Sequence, residues 1–349
     1  MEHLAIDLGK RESQLCLRDE RGQILEEGRI ETTEIGKYLG RRARPVRVIV
    51  ETCAEAFSVA DEAMALGHEV RVVPATLAKS LGVGERGIKT DRRDAQALSK
   101  ASVRMDLGSV HIPSDVARAW KTSCGQRDAL VRSRTLLINN ARGYLRGERI
   151  RVKGSTPASL VKGIRKAFEN RSDHVSSGLE RVLRSIEQLS ELIAESDKEL
   201  LALAEEHPIC RRLMSMPGAG PVTAVRFVAT IDDISRFPNG HRLQSYLGLT
   251  PGERSSSDKK RMTGITKAGP IALRWVLIQA AWSLWRTRPK DPNVLWAMKI
   301  AERRGRGIAI VALARKMASI LRAMWLSGEE YRVGHSLTPQ RKEPVQRDC

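Results

Sequence analysis

Four carboxylates in the first hundred residues stand where chemistry can use them. Asp7 closes the run His3-Leu4-Ala5-Ile6, and Glu51 closes the apolar run Val46 to Val50. Asp91 and Asp94 open a helix-like stretch, Thr90-Asp91-Arg92-Arg93-Asp94-Ala95. Their i, i+3 spacing puts both on one helix face, and Asp7 and Glu51 end two strands that can be neighbours. A carboxylate at the tip of a buried strand is costly without a positive partner, and a metal ion is the usual one. An oxygen-only donor set selects hard cations, with Mg2+ the expected choice. Two such ions about 3.5–4 Å apart activate an attacking oxygen and stabilise a leaving oxygen at a phosphodiester. The plainer alternative is local: a helix N-terminus favours acidic residues in any case, and Arg92 and Arg93 directly follow Asp91.

Two later segments add to this. Pro217-Gly218-Ala219-Gly220 lies between helical stretches and reads as a tight helix–hairpin–helix turn, whose N–H groups at Gly218 and Gly220 can hold a DNA phosphate; a plain turn between packed helices is the alternative. The loop Thr250-Pro251-Gly252-Glu253-Arg254-Ser255-Ser256-Ser257-Asp258-Lys259-Lys260-Arg261 puts three serines beside Arg254, Lys259, Lys260 and Arg261, with Lys267 following. A serine among cations is well placed to attack a phosphate, and the cations stabilise the developing charge. Serine-rich loops are also common linkers. No histidine is adjacent to act as base, so activation falls to a metal, a carboxylate or an arginine.

The elements that must position these groups follow from pattern. His3 to Leu8, Ser13 to Leu17 and Gln23 to Glu31 read as strands, with Asp19-Glu20-Arg21-Gly22 as a hairpin turn. Val46 to Glu51 fits a strand buried on both faces, Ala54 to Leu66 a helix, and Glu69 to Val73 another strand. Three meander strands followed by strand–helix–strand make an α/β layer fold over residues 1–113. Residues 114–207 are helical: one helix capped by Ser114, a shorter one from Pro157 to Phe168, and a periodic stretch from Val175 to Glu206. There Leu179, Val182, Ile186, Leu189, Ile193, Ser196, Leu200 and Leu203 form a heptad seam, which can pair within the chain or between chains. Residues 208–333 form a mainly helical C-terminal domain, in which Trp275, Trp282, Trp285 and Trp325 read as core. Residues 334–349 read as a flexible polar tail.

Composition narrows the partner. The 349 residues carry a formal net charge of +19, with 41% hydrophobic and 29% charged residues. That balance favours a polyanion. No apolar run reaches the length of a membrane span, and the start Met1-Glu2-His3 resembles no leader peptide. The five cysteines are scattered and lack metal-ligand spacing, which fits reduced thiols in a cytoplasm. Basic stretches able to hold nucleic acid are Arg142, Arg146, Arg149, Arg151 and Lys153, then Arg303, Arg304 and Arg306; each can equally be a solvated face.

Together these motifs resemble one family, the DEDD-type transposases of bacterial insertion sequences related to the Piv invertase. The resemblance rests on Asp7, Glu51, Asp91 and Asp94, on the block Lys89 to Ala95, on Pro217-Gly218-Ala219-Gly220, and on Gly248-Leu249-x-Pro251 to Lys267-x-Gly269. It implies a RuvC-like, ribonuclease-H-type N-terminal domain, a coiled-coil middle and a C-terminal transposase domain. It implies Mg2+ at the tetrad and a nucleophilic serine joined covalently to a DNA 5′ end. It also implies a composite active site in a homodimer or homotetramer, and a structured bridge RNA that pairs with donor and target DNA. The family pattern at the serine is Ser-x-Gly; here Ser257 replaces the glycine, so the motif places the nucleophile at Ser255 with Ser256 as the alternative. The expected setting is a bacterial cytoplasm, at the nucleoid when bound to DNA.

Other functions compete. A RuvC-like structure-specific endonuclease would use the same carboxylates with water as nucleophile. An actin-like phosphotransferase would use Asp7 and Gly9, although no glycine-rich adenosine motif follows. A basic architectural DNA-binding protein would need no chemistry at all.

Overall fold

Short apolar runs bounded by turn residues build a sheet over the first third of the chain. The computed structural model describes residues 1–80, 91–169, 176–253 and 262–333. It divides into two units, Met1–Pro113 and the chain from Ser114 onward. The first unit contains β1 (His3–Asp7), β2 (Glu12–Arg18), β3 (Ile24–Glu31), β4 (Arg47–Glu51) and β5 (Glu69–Val73), in the order β3-β2-β1-β4-β5. β1, β2 and β3 form an antiparallel meander, while β4 and β5 run parallel to β1. The Asp19–Gly22 turn is tied by the Asp19 carboxylate, which accepts the N–H groups of Arg21 (3.0 Å) and Gln23 (2.7 Å).

β1 and β4 are apolar along their length because both faces are covered. Leu4, Ile6, Val48 and Val50 pack against α1 (Ile35–Gly40) and α2 (Ala56–Ala65). On the opposite face Ala5, Ile49 and Val73 pack with Ala78 of α3 (Ala75–Ser80) and with Leu98 and Ala101 of α4 (Asp91–Arg104). This two-sided sheet with helices on each face is a mixed α/β architecture.

The described residues beyond Ser114 are predominantly helical. α5 (Asp115–Gly147) and α7 (Ser177–Glu206) are 33 and 30 residues long, about 50 Å and 45 Å. Ser114 and Ser176 cap them, each accepting an N–H three residues on. α6 (Pro157–Glu169) packs beside α7 at the distal end of α5. α5 and α7 are antiparallel: Arg127 Nε donates to Asp197 (2.7 Å), and seven residues along α5, Arg134 donates to Ser190 (3.2 Å), seven residues back along α7.

This pairing widens the expected seam. The residues α7 buries are Leu179, Leu183, Ile186, Ile193, Leu200 and Ala204. The positions between them that meet α5 are Ser190 and Asp197, chosen by the α5 arginines. Ser196 returns its hydroxyl to the Leu192 carbonyl of its own helix (3.0 Å). Counting apolar residues selects Val182, Leu189 and Leu203, which are half-buried, because periodicity alone does not reveal what the partner helix offers.

The C-terminal part comprises α8 (Pro208–Met214), α9 (Pro221–Ile231), α10 (Gly240–Tyr246), the hairpin strands β6 (Pro251–Glu253) and β7 (Met262–Ile265), then α11 (Ile271–Thr287), α12 (Pro292–Arg304) and α13 (Arg306–Ser327). They share one core around Phe227, Leu277, Leu313 and Met317. Among the described residues no helix is long and apolar enough to cross a membrane.

One charged contact ties this core to α5. Arg226 of α9, 5% exposed, pairs with Asp128 (2.8 Å) and donates to the Cys124 carbonyl (2.8 Å). A buried charge stripped of its partner is strongly destabilising. Asp128→Ala should therefore lower the unfolding free energy in urea by about 3 kcal/mol, and adding Arg226→Met should recover most of the loss. Equal losses in the single and double variants would show that the pair does not set this contact.

Candidate active site

Strand pleat places two of the four carboxylates on one face. Side chains i and i+2 share a face of a strand. Ala5 and Ile49 belong to the cluster under α4, so Asp7 and Glu51, each two residues on, turn to that face. β1 and β4 are parallel with Ile6 opposite Val50, so both residues lie at the same end of neighbouring strands, whose backbones run about 4.8 Å apart.

A chain of polar contacts brings in the other two. Ser102 Oγ lies 2.8 Å from His3 Nδ1 at the start of β1. One turn back, Ser99 donates to Cys16 Sγ (3.2 Å) and accepts from Arg18 Nε (3.0 Å). Further back, Gln96 and Arg92 both donate to Glu27 of β3, at 2.6 and 2.8 Å. The Arg92 hydrogen bond, followed by that from Gln96, holds the Glu27 carboxyl below the usual carboxylate range. The end of α4 is thus pinned over the beginning of β1, and the helix runs antiparallel to that strand. From His3 to Asp7 the strand advances about 13 Å, and from Ser102 back to Asp94 the helix covers about 12 Å. Asp94 reaches the level of Asp7, and Asp91 lies one turn beyond.

Asp7 and Glu51 share an end and a face of the sheet, and the contacts of α4 direct Asp94 and Asp91 toward that end, without closing a coordination sphere. Among the described residues no three His, Cys, Asp or Glu side chains stand together as a metal-holding group. The donor chemistry nevertheless suits a divalent cation. All four donors are carboxylate oxygens, and Asp94 is only 3% exposed. A buried carboxylate is costly without a positive partner. Gln14, buried and opposite Asp7 in the β1–β2 register, is a neighbour the motif reading passed over. Glu27, Ser99 and Ser102 were passed over as well, because their role is to set the helix register and no motif spacing marks them.

The second candidate site is built on a clasp below the β6–β7 hairpin. Pro251 pairs with Ile265 and Glu253 with Met262. Thr266 N–H donates to the Thr250 carbonyl (2.9 Å), and Lys267 N–H to that of Gly248 (3.2 Å). Buried Arg274 crosses the two segments, donating to the carbonyls of Leu247 (2.9 Å) and Ala268 (2.7 Å). Gly248 and Gly269 have φ of 65° and 72°, and a Cβ on either would fall 2.1 Å from Ala268 O or 1.9 Å from Tyr246 O. Only glycine fits both the left-handed backbone and the close approach. Exposed Lys267 has φ of 57° and stands beside this clasp. Ser255, Ser256, Arg254, Lys259, Lys260 and Arg261 lie outside the described residues.

The remaining candidates divide by packing. At the Pro217–Gly220 turn, Gly218 lies against α11, where a Cβ would come within 2.5 Å of the Ala280 carbonyl. Gly220 is exposed and opens α9 without a side-chain cap. Arg142 and Arg146 are exposed near the end of α5, and Arg149 and Arg151 are exposed beyond it. Of the four tryptophans read as core, Trp282, Trp285 and Trp325 pack against the C-terminal cluster, whereas Trp275 is 51% exposed. Helical spacing does not tell which face of α11 meets the core.

Comparison with known proteins points to one group. The transposase IS116/IS110/IS902 family profile matches residues 210–294. A second transposase profile, of the DEDD type of IS110, matches residues 4–149. The transposase for insertion sequence element IS1111A of Coxiella burnetii is 31% identical over 350 residues, covering 95% of this chain and 91% of its own. The transposase for insertion sequence element IS1328 of Yersinia enterocolitica is 26% identical, covering 91% of this chain and 94% of its own.

The contact that pins α4 carries a pH dependence. Burial strips solvent from a protonated His3, Arg47 adds repulsion, and together they lower its pKa below the ordinary 6.5. The unfolded chain therefore takes up that proton first. The stability contributed by neutral His3 is complete above pH 6.5 and is lost as pH falls through the depressed folded value. The melting temperature of the wild type should drop more steeply between pH 7.5 and 5 than that of His3→Gln. A difference between the two proteins that stays constant with pH would contradict this.

Proposed function

The chain belongs to the IS116/IS110/IS902 family of insertion-sequence transposases and is a DNA transposase; from that premise we propose that it is a site-specific recombinase that cuts and rejoins strands through a covalent serine link. The observation that supports the proposal is that Asp7 and Glu51 end neighbouring parallel strands, toward whose end α4 with Asp91 and Asp94 runs. The strand order β3-β2-β1-β4-β5, with β4 and β5 parallel to β1, supports a RuvC-like, ribonuclease-H-type reading of this unit.

Transposase domains of the DEDD type generally depend on a divalent metal. Asp7, Glu51, Asp91 and Asp94 would hold Mg2+, which when bound neutralises charge at the phosphodiester and sharpens the nucleophile. The attack is assigned to Ser255. Its Oγ bonds to phosphorus as the bond to the 3′ oxygen breaks, leaving a 5′-phosphoserine link and a free 3′ hydroxyl. The serine proton passes to solvent or a neighbouring carboxylate, and the departing 3′ oxygen takes up a proton. Rejoining reverses this, with a 3′ hydroxyl of another strand displacing the serine. One phosphodiester is exchanged for another at each step, so no nucleotide cofactor is needed. Lys267 and the cations Arg254, Lys259, Lys260 and Arg261 would offset the developing phosphorane charge.

The selection of donor and target DNA is assigned to pairing with a structured bridge RNA, since the sequence carries no convincing helix-turn-helix or zinc finger. The exposed arginines of the helical region supply cationic surface for such an RNA. A homodimer or homotetramer in the bacterial cytoplasm, at the nucleoid when bound to DNA, is the assembly proposed.

Denaturing a cleavage reaction on end-labelled donor DNA with Mg2+ and the co-purified RNA should trap a protein–DNA adduct. Ser255→Ala should abolish it, while Ser256→Ala keeps it. The reverse pattern would move the nucleophile to Ser256. Cleavage without any adduct would favour water attack by a RuvC-like endonuclease and refute the serine step.

A further inference from the structure

Two arginines are buried among the described residues, and they are partnered differently. Arg226, 5% exposed, meets the Asp128 carboxylate (2.8 Å). Arg274, 7% exposed, meets the carbonyls of Leu247 (2.9 Å) and Ala268 (2.7 Å), both through Nη1. Among the described residues its Nε and Nη2 have no acceptor, and no carboxylate pairs with it. Neither of those two nitrogens is sealed from solvent. A neutral donor would suffice to tie two carbonyls together. A full charge taken out of water without a counter-charge is costly, and an arriving anion offsets that cost.

The guanidinium lies directly beneath the surface. It abuts Gly248, where a Cβ would fall 2.8 Å from Nη1. Lys267, Ala268 and Gly269, in the segment it bonds, are exposed. α11 begins just after them, at Ile271, with no side-chain cap. The first N–H groups of that helix, on exposed Ile271 and Ala272, form its positive end. An uncapped helix start, an exposed lysine and a buried guanidinium with an idle edge therefore favour an anion at one place. The same clasp is the base of the β6–β7 hairpin, where Thr266 N–H meets the Thr250 carbonyl (2.9 Å).

We propose that Arg274 is a catalytic residue: the free edge of its guanidinium takes a non-bridging oxygen of the phosphodiester under attack. The proposal rests on the serine reading of the reaction and adds to it a cation supplied by the buried part of the fold. Arg274 stays protonated throughout and exchanges no proton with the substrate. As the serine oxygen bonds to phosphorus, a second negative charge develops on the non-bridging oxygens. A guanidinium already fixed by two carbonyls, and shielded from bulk water, meets that charge without reorganising. Lysine at this position would keep the charge and lose the planar fork that matches a phosphate.

The test compares two donor duplexes. One carries an ordinary phosphodiester at the cleavage site; the other carries a methylphosphonate there, in which a methyl group replaces one charged oxygen. Adduct formation is followed with the full-length protein, its co-purified RNA and Mg2+. Arg274→Gln keeps a donor for the carbonyls and loses the charge. On the ordinary duplex it should form adduct about a hundredfold more slowly than the wild type, and on the methylphosphonate duplex nearly as fast as the wild type. The ratio of the two rates within one protein cancels any loss of folded material. Arg274→Lys should recover most of the loss on the ordinary duplex. Equal slowing of Arg274→Gln on both duplexes would overturn the proposal and leave Arg274 a structural tie alone, and so would a wild-type rate on the ordinary duplex. Wild-type cleavage of that duplex without any adduct would instead sink the serine step on which the proposal rests.

Discussion

The seating of α4 on the sheet is the constraint on which the candidate active site depends. Parallel strands end at one edge, so Asp7 and Glu51 are neighbours by topology. The second pair has no such guarantee. Asp91 and Asp94 reach the same edge only because α4 runs antiparallel to β1 and is held at the correct height. Ser102 on His3, Ser99 on Cys16 and Arg18, and Gln96 with Arg92 on Glu27 fix that height at three levels. Apolar packing of Leu98 and Ala101 alone would tolerate a slide of one turn, which moves a carboxylate about 5.4 Å. Directional polar contacts do not tolerate it.

Charge in the second unit is sorted by burial. Arg226 and Arg274 are buried and bonded to carbonyls or a carboxylate, so they hold segments together: Arg226 joins α9 to α5, and Arg274 locks the clasp at Leu247 and Ala268. The exposed cations are of a different kind. Arg149 and Lys267 both occupy left-handed backbone that does not suit their side chains. One lies just beyond the end of α5 and the other just beyond β7. The net charge of +19 is thus partly structural.

Much of this was legible in the sequence. The central strands β1 and β4 announced themselves as short apolar runs, since burial on both faces leaves no room for polar alternation. The i, i+3 spacing of Asp91 and Asp94 and the strand-end positions of Asp7 and Glu51 marked the carboxylates. What the sequence did not carry was relative placement. Nothing local says that α4 lies over β1 and β2, because Ser99, Ser102 and Gln96 are ordinary helix residues until their partners are known. The α7 seam is wider than its spacing for the same reason: Leu183 and Ala204 are buried beside Val182 and Leu203, and Arg127 and Arg134 choose Asp197 and Ser190. Trp275 was read as core because helical spacing shows that a face exists but not which one is covered. The clasp at Gly248 and Gly269 was visible as a motif, but its cause, a contact too close for any Cβ, is purely three-dimensional.

The central claim is that the sheet-end carboxylates act together on one divalent cation. The most direct measurement is Mn2+ binding followed by the loss of the free-ion electron paramagnetic resonance signal, with Mg2+ as competitor. The account predicts saturable binding by the wild type that Mg2+ displaces, weakened at least tenfold, by about 1.4 kcal/mol or more, in each of Asp7→Asn, Glu51→Gln and Asp94→Asn, with the folded state retained. Binding that is unchanged in all three variants would contradict it.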